Sequence, residues 1–149
     1  MEDVELSVEY MERTQRFIIG DFTLFDGNKE LMWSHLVDLG KQLPPLPVQE
    51  RIPKNLITSC LSRVWLVREL RADRLWLRAD SESLITKGLV SLLVRVFSSQ
   101  LIEAITKADF FLFPTINQLV GVQRSNGFYE MWQAVQCFIR ESLHTASDV

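Results

Sequence analysis

Val64-Trp65-Leu66-Val67-Arg68-Glu69-Leu70-Arg71-Ala72-Asp73-Arg74-Leu75-Trp76-Leu77-Arg78 decides the fold class of this chain. Val64 to Leu70 and Leu75 to Arg78 are short strand-like runs around the polar stretch Arg71-Ala72-Asp73-Arg74, a pattern that predicts an antiparallel hairpin. Downstream, Asp80-Ser81-Glu82-Ser83 supplies a helix start with acid in the first turn. Ile85, Leu89, Leu92, Leu93, Val96 and Phe97 then recur at helical spacing, predicting a helix from about Glu82 to Ser98. Val90 and Val94 add a second apolar face, so this helix is expected to be the buried central one.

Upstream, Val4, Val8, Met11 and Ile18 mark an amphipathic lead helix over roughly residues 4–19, and residues 1–20 are expected to form a helical N-terminal extension. Asp26-Gly27-Asn28 reads as a turn and helix start, with Leu31, His35, Leu36 and Leu39 on one face of the helix that follows. Gly40 is expected to end it, and Pro44-Pro45-Leu46-Pro47 forbids continuation. The stretch from there to Cys60, about 20 residues, is too long for a mere connection and is expected to be functional. Toward the C-terminus, a short helix is expected at Leu101-Ile102-Glu103-Ala104-Ile105. Phe110 to Phe113 form an apolar run closed by Pro114. A final helix beginning near Ser125 or Asn126 would carry Phe128, Met131, Trp132, Val135, Phe138, Ile139 and Leu143 on one stripe. Several helices and a small antiparallel sheet make an α+β fold, and 149 residues suit a single domain.

A net charge of −3 leaves no electrostatic footprint for nucleic acid or an anionic membrane. The longest apolar stretches are broken by Lys87, Arg95, Asp109 or Gln118, so no membrane span is expected. The acidic start Met1-Glu2-Asp3-Val4-Glu5 argues against a secretory signal, and two cysteines are too few for a disulfide framework. A cytoplasmic location is the expectation. Two cysteines and two histidines without paired spacing give no zinc site and too few ligands for an iron–sulfur cluster, so no metal is expected. No glycine-rich nucleotide loop is present.

Cys60 is the residue to which chemistry attaches. It stands in the polar stretch Thr58-Ser59-Cys60-Leu61-Ser62-Arg63 at the mouth of the first strand, where a partner can reach a thiol. Around it, Asp38-Leu39-Gly40-Lys41-Gln42-Leu43-Pro44, Ile52-Pro53-Lys54-Asn55, Cys60-x-Ser62-x-Val64-Trp65, Ala79-Asp80-Ser81-Glu82-Ser83-Leu84-Ile85-Thr86-Lys87-Gly88-Leu89 and Arg124-Ser125-Asn126-Gly127 follow in order. Together they resemble the SufE family of sulfur-acceptor proteins, from about Phe22 to Leu143. The resemblance implies a SufE/IscU-like fold with two to three antiparallel strands. It also implies that Cys60 takes persulfide sulfur from a pyridoxal-phosphate-dependent cysteine desulfurase of the SufS/CsdA kind. The chain would stimulate that enzyme and pass sulfur to an iron–sulfur scaffold of the SufBCD kind, needing no cofactor of its own.

Asp80 and Arg124 match polar family positions near the cysteine loop. Asp80 reads either as an anchor for that loop or as a helix N-cap. Arg124 reads either as a group that steadies a thiolate or docks the partner, or as a solvated or ion-paired charge. Lys87 matches a basic family position and also reads as a surface charge. Arg51 and Arg63 are expected on the partner surface. Where the family usually carries glycine before the cysteine this chain has Ser59, which lacks glycine's freedom at positive φ, so the loop is expected to be held differently. Cys137, within Val135-Gln136-Cys137-Phe138, reads as packing. Two other functions compete: a non-transferring module that binds and regulates a desulfurase, and a cysteine hydrolase that needs His35 within reach of Cys60.

Overall fold

The computed structural model describes residues 2–58 and 62–147. The expected hairpin is its spine. Strand β2 (Val64–Arg71) and strand β3 (Arg74–Ser81) pair antiparallel, in register from Val64 opposite Ser81 to Arg71 opposite Arg74. The two-residue turn puts Ala72 at φ 49° and Asp73 at φ 69°, the left-handed geometry whose twist matches the flanking strands. A third strand, β1 (Leu56–Ile57), pairs antiparallel with β2 and gives the order β1-β2-β3. At two residues it was too short to show a period of two in the sequence.

Alternation along the hairpin separates two faces. Leu66, Leu75, Leu77 and Ala79 point into the main core, which the helices complete. Trp65 and Val67 point the other way and form a small second core with Leu46 and Leu56. That second core explains the long segment before Cys60. Residues 44–57 lie as a strap over the outer face of the sheet, in two single 3-10 turns, Val48–Glu50 and Pro53–Asn55, leading into β1. Arg78 on that face donates to both carboxylate oxygens of Glu50 and to Glu69 (2.9 Å). The buried Asn55 donates to the Glu50 carbonyl (2.9 Å).

Helix α1 (Glu2–Thr23) extends the expected lead helix at both ends. Its buried face docks on the connections between later elements. The Ser7 hydroxyl donates to Gln100 (2.7 Å), while the fully buried Gln15 donates to the Asp109 carbonyl (2.8 Å) and accepts from the Phe111 amide (2.8 Å). Helix α2 (Lys29–Lys41) is capped by Asn28, which accepts from the Leu31 amide (3.1 Å). Helix α3 (Leu84–Phe97) is buried along most of its length, as its apolar circumference predicts. Helix α4 (Ile102–Lys107) follows, then α5 (Phe113–Ser147). Phe97, Phe110 and Trp132 stack between α3 and α5, with centroids 4.3–5.5 Å apart.

Three readings need correction. Gly40 does not stop α2, which runs on to Lys41. It is instead buried where α2 crosses α3, opposite Gly88. The last helix does not start at Ser125 or Asn126. It resumes directly after a break at Gly121 (φ 82°, ψ 172°), a positive φ that glycine adopts without strain. Cys137 is exposed, its thiol donating to Glu141 (3.4 Å), because it falls on the flank of the stripe formed by Met131, Val135 and Ile139.

The glycine crossing gives a stability prediction. A methyl on Gly88 would overlap the Leu36 carbonyl oxygen and lie 2.7 Å from Leu36 Cγ, and a methyl on Gly40 would lie 2.7 Å from the Gly88 nitrogen. Backbone cannot turn aside as a side chain can. Gly88→Ala is expected to lower stability by about 2 kcal/mol, despite alanine's better helix propensity. A urea midpoint equal to or above that of the parent protein would contradict it.

Candidate functional site

Ile57 pairs with Val64, so residues 58–63 form the connection of the β1–β2 hairpin. Ser59, Cys60 and Leu61 lie outside the described residues, and the roles expected of Ser59 and Cys60 fall there too. Chain connectivity alone keeps residue 60 three residues from the paired Ile57 and four from the paired Val64, within reaches of about 11 Å and about 14 Å. The site is therefore built from what holds the two arms of this connection.

Asp80 holds them. In register opposite Trp65, it shares the outer face of the sheet with that ring and is only 3% exposed. Its Oδ2 accepts the Leu46 amide (3.1 Å) and the Arg51 guanidinium (2.7 Å), which ties down the strap. Its Oδ1 accepts the Ser81 amide (2.8 Å) and lies 3.3 Å from Lys87 Nζ on α3. Burial by itself would push this carboxyl up. Hydrogen bonds from the Leu46 and Ser81 amides and the Lys87 ammonium outweigh it and hold the group below the ordinary aspartate range. Next to it, the Ser81 hydroxyl and the Glu82 amide both donate to the Arg63 carbonyl (2.7 and 3.2 Å), fixing the returning arm. One carboxylate and its neighbour thus pin the strap and the arm that leads out of the hairpin connection.

The geometry bears on the N-cap reading of Asp80 and the surface-charge reading of Lys87. The N-cap of α3 is Ser83, whose hydroxyl accepts the Thr86 amide (3.3 Å), so Asp80 is free of capping duty. Lys87 is no surface charge, since its side chain is 19% exposed and lies against Asp80. Arg51, expected on a partner surface, is largely committed to Asp80 and rests over the Trp65 ring (4.9 Å). Arg63 is the exposed member. It pairs with Glu82 (2.9 Å) at the rim and reaches over the same ring (5.9 Å). The sequence reading gave no role to Trp65, Ser81 or the Leu46 amide. The 34-residue separation of Leu46 from Asp80 leaves no local signal for that contact.

Arg124 is not brought into this cluster. Its guanidinium lies over the Trp33 ring of α2 (5.2 Å), and the Trp33 indole donates to the Leu119 carbonyl (2.9 Å). Beside them an open cavity of about 650 Å³ runs along Lys29, Glu30, Trp33 and residues 117–121. His35 packs edge-on to Phe22 and against Phe25, with its Nε2 4.0 Å from Asp21. None of those contacts is on the strands that flank residues 59–61. Among the described residues no group of three or more histidine, cysteine or acidic side chains is placed to hold a metal ion. Nor is any helix among them long and apolar enough to cross a membrane.

Comparison with known proteins meets this geometry. The model of the SufE family, described as an Fe-S metabolism associated domain, matches residues 16–138. An uncharacterised SufE-like protein of Rhizobium etli is 32% identical, with 80% of this chain and 84% of the relative covered. A second, of Rhizobium meliloti, is 31% identical, with 80% and 89% covered. A solution structure of a hypothetical protein from Thermus thermophilus shares the fold at a TM-score of 0.71 and 15% identity, covering 88% of this chain and 96% of that one. On the match of 16–138 and the relatives at this identity, the chain belongs to the SufE family of domains associated with iron–sulfur metabolism.

Proposed function

We propose that this protein is a sulfur acceptor in iron–sulfur cluster assembly, with Cys60 as the residue that carries the sulfur. The carrying observation is that the family match spans both the Cys60 motif and the neighbours Asp80 and Ser81, which tie down the strap before that motif and the Arg63 carbonyl after it. In the proposed step the Cys60 thiolate attacks the terminal sulfur of a persulfide on a cysteine desulfurase. The sulfur–sulfur bond of the donor breaks, a new one forms on Cys60, and the desulfurase cysteine leaves as thiolate. The exchange is redox-neutral and needs no further reagent. Freeing that cysteine lets the desulfurase turn over again, which is the basis of stimulation. The sulfur then passes by the same chemistry to a scaffold.

Asp80 acts here as a positioning residue. Holding the strap and the Arg63 arm in advance lowers the entropic cost of docking a partner there. The exposed Arg63–Glu82 pair lies at the rim, where charge steers a transient partner. The test is the intact mass of this protein after incubation with a desulfurase, pyridoxal phosphate and cysteine without reductant. Sulfur added at Cys60 supports transfer. Faster desulfurase turnover with no added mass makes the protein an activator that does not carry sulfur.

A further inference from the structure

Helix α1 has two faces with different uses. Ser7, Met11, Gln15, Ile18 and Phe22 are buried against the core. Leu6, Tyr10 and Phe17 are 58%, 40% and 62% exposed, and with the exposed Arg13 they follow a spacing of four, three and four residues. That spacing lays them in one row along the flank of the helix. Leu6, Tyr10 and Arg13 precede residue 16, where the family match begins, so three of the four members of the row lie outside the shared family pattern and Phe17 just inside it.

We infer that this row is the contact surface for a second copy of the chain, paired antiparallel through α1. An antiparallel mate in which facing positions sum to 23 sets Leu6 against Phe17 of the second copy and Tyr10 against its Arg13. Symmetry makes each contact twice. The adjoining row then sets Glu9 beside Arg16 of the second copy. Glu9, Arg13 and Arg16 are all exposed, and among the described residues none of them makes an ion pair within its own chain. The row therefore complements itself in shape and in charge: aliphatic on aromatic, cation over aromatic ring, and opposite charges at the flank. A lipid surface is a poorer occupant, because Asp3, Glu5 and Glu9 bring negative charge to the same exposed side. The overlapped length, about 20 residues or about 30 Å, makes a footprint below that of a permanent dimer, so the pair is a weak, reversible one.

The experiment is sedimentation equilibrium of the full chain at low salt, from about 10 μM to about 1 mM, bracketing a dissociation constant on the order of 100 μM. Phe17→Glu, at an exposed position, is expected to weaken the dimer at least about tenfold, and Leu6→Glu serves as a second probe of the same row. Glu9→Arg alone and Arg16→Glu alone are each expected to weaken it about fivefold, while the double reversal returns to within about twofold of the parent. Circular dichroism verifies the fold of each variant. A parent protein that is monomeric throughout overturns the inference. So does a dimer indifferent to Phe17→Glu, or a double reversal no tighter than the singles. Vesicle binding by a monomeric parent protein, lost in Phe17→Glu, would assign the row to lipid instead. None of these outcomes depends on sulfur transfer, so the inference and the proposed function fail separately.

Discussion

Incubated with a desulfurase, pyridoxal phosphate and cysteine without reductant, the parent protein is expected to gain about 32 Da per sulfur, lost on adding reductant, and Cys60→Ser to gain nothing at that position. The effect is all or none, because a serine hydroxyl cannot form the sulfur–sulfur bond. Stimulation of desulfurase turnover is expected to fall to the unstimulated rate in the same variant if it arises from removal of the enzyme's persulfide. Cys137 complicates the reading, because it is exposed and so open to adventitious sulfur or oxidant. The comparison is therefore made in a Cys137→Ala background, where no other thiol remains. Persulfide confined to Cys137 in the parent protein would remove Cys60 from the role proposed for it.

Asp80→Asn is the second large effect, read first in stability. The substitution keeps the size of the side chain and removes the charge that Arg51 and Lys87 share in a nearly buried site. Breaking such a pair costs about 3 kcal/mol, since the remaining cations lose their counter-ion, which is roughly 10 °C in melting temperature for a chain of this size. The pH dependence carries a sign. Because the folded-state pKa of Asp80 lies below its unfolded value, its contribution is present in full above the unfolded pKa and is lost as pH falls through the folded one. Stability of the parent protein is thus expected to drop more steeply below about pH 4 than that of Asp80→Asn, the difference between the two shrinking as acid is added. Equal acid slopes for the two proteins would show that the carboxylate is not held in this way. A purely structural role ends at stability. A positioning role also changes the alkylation rate of Cys60 under conditions where Asp80→Asn is still folded.

Much of the architecture was legible because it rests on local periodicity. The hairpin Val64–Arg71 and Arg74–Ser81 and the buried helix Leu84–Phe97 announce themselves through alternation and through an apolar circumference, properties of ten or so adjacent residues. Strand β1 and the break at Gly121 did not, since two residues show no period and a lone glycine has several uses. The motif words around Cys60, Asp80 and Arg124 marked the family from the residues alone, and the match over residues 16–138 agrees.

The division between the two sources of information follows from the range of the interactions. By itself the sequence determined the fold class, the central helix, the family and the thiol to test, because each is written in neighbouring residues or in an ordered set of words. Only the tertiary structure decided that Asp80 clamps the strap through Leu46 and Arg51 instead of capping a helix, and that Arg124 lies on Trp33, not in that cluster. It likewise decided that Gly40 and Gly88 let two helices touch backbone to backbone, and that Cys137 faces outward. Those contacts join residues dozens of positions apart, and their partners are chosen by packing, to which no local pattern is sensitive.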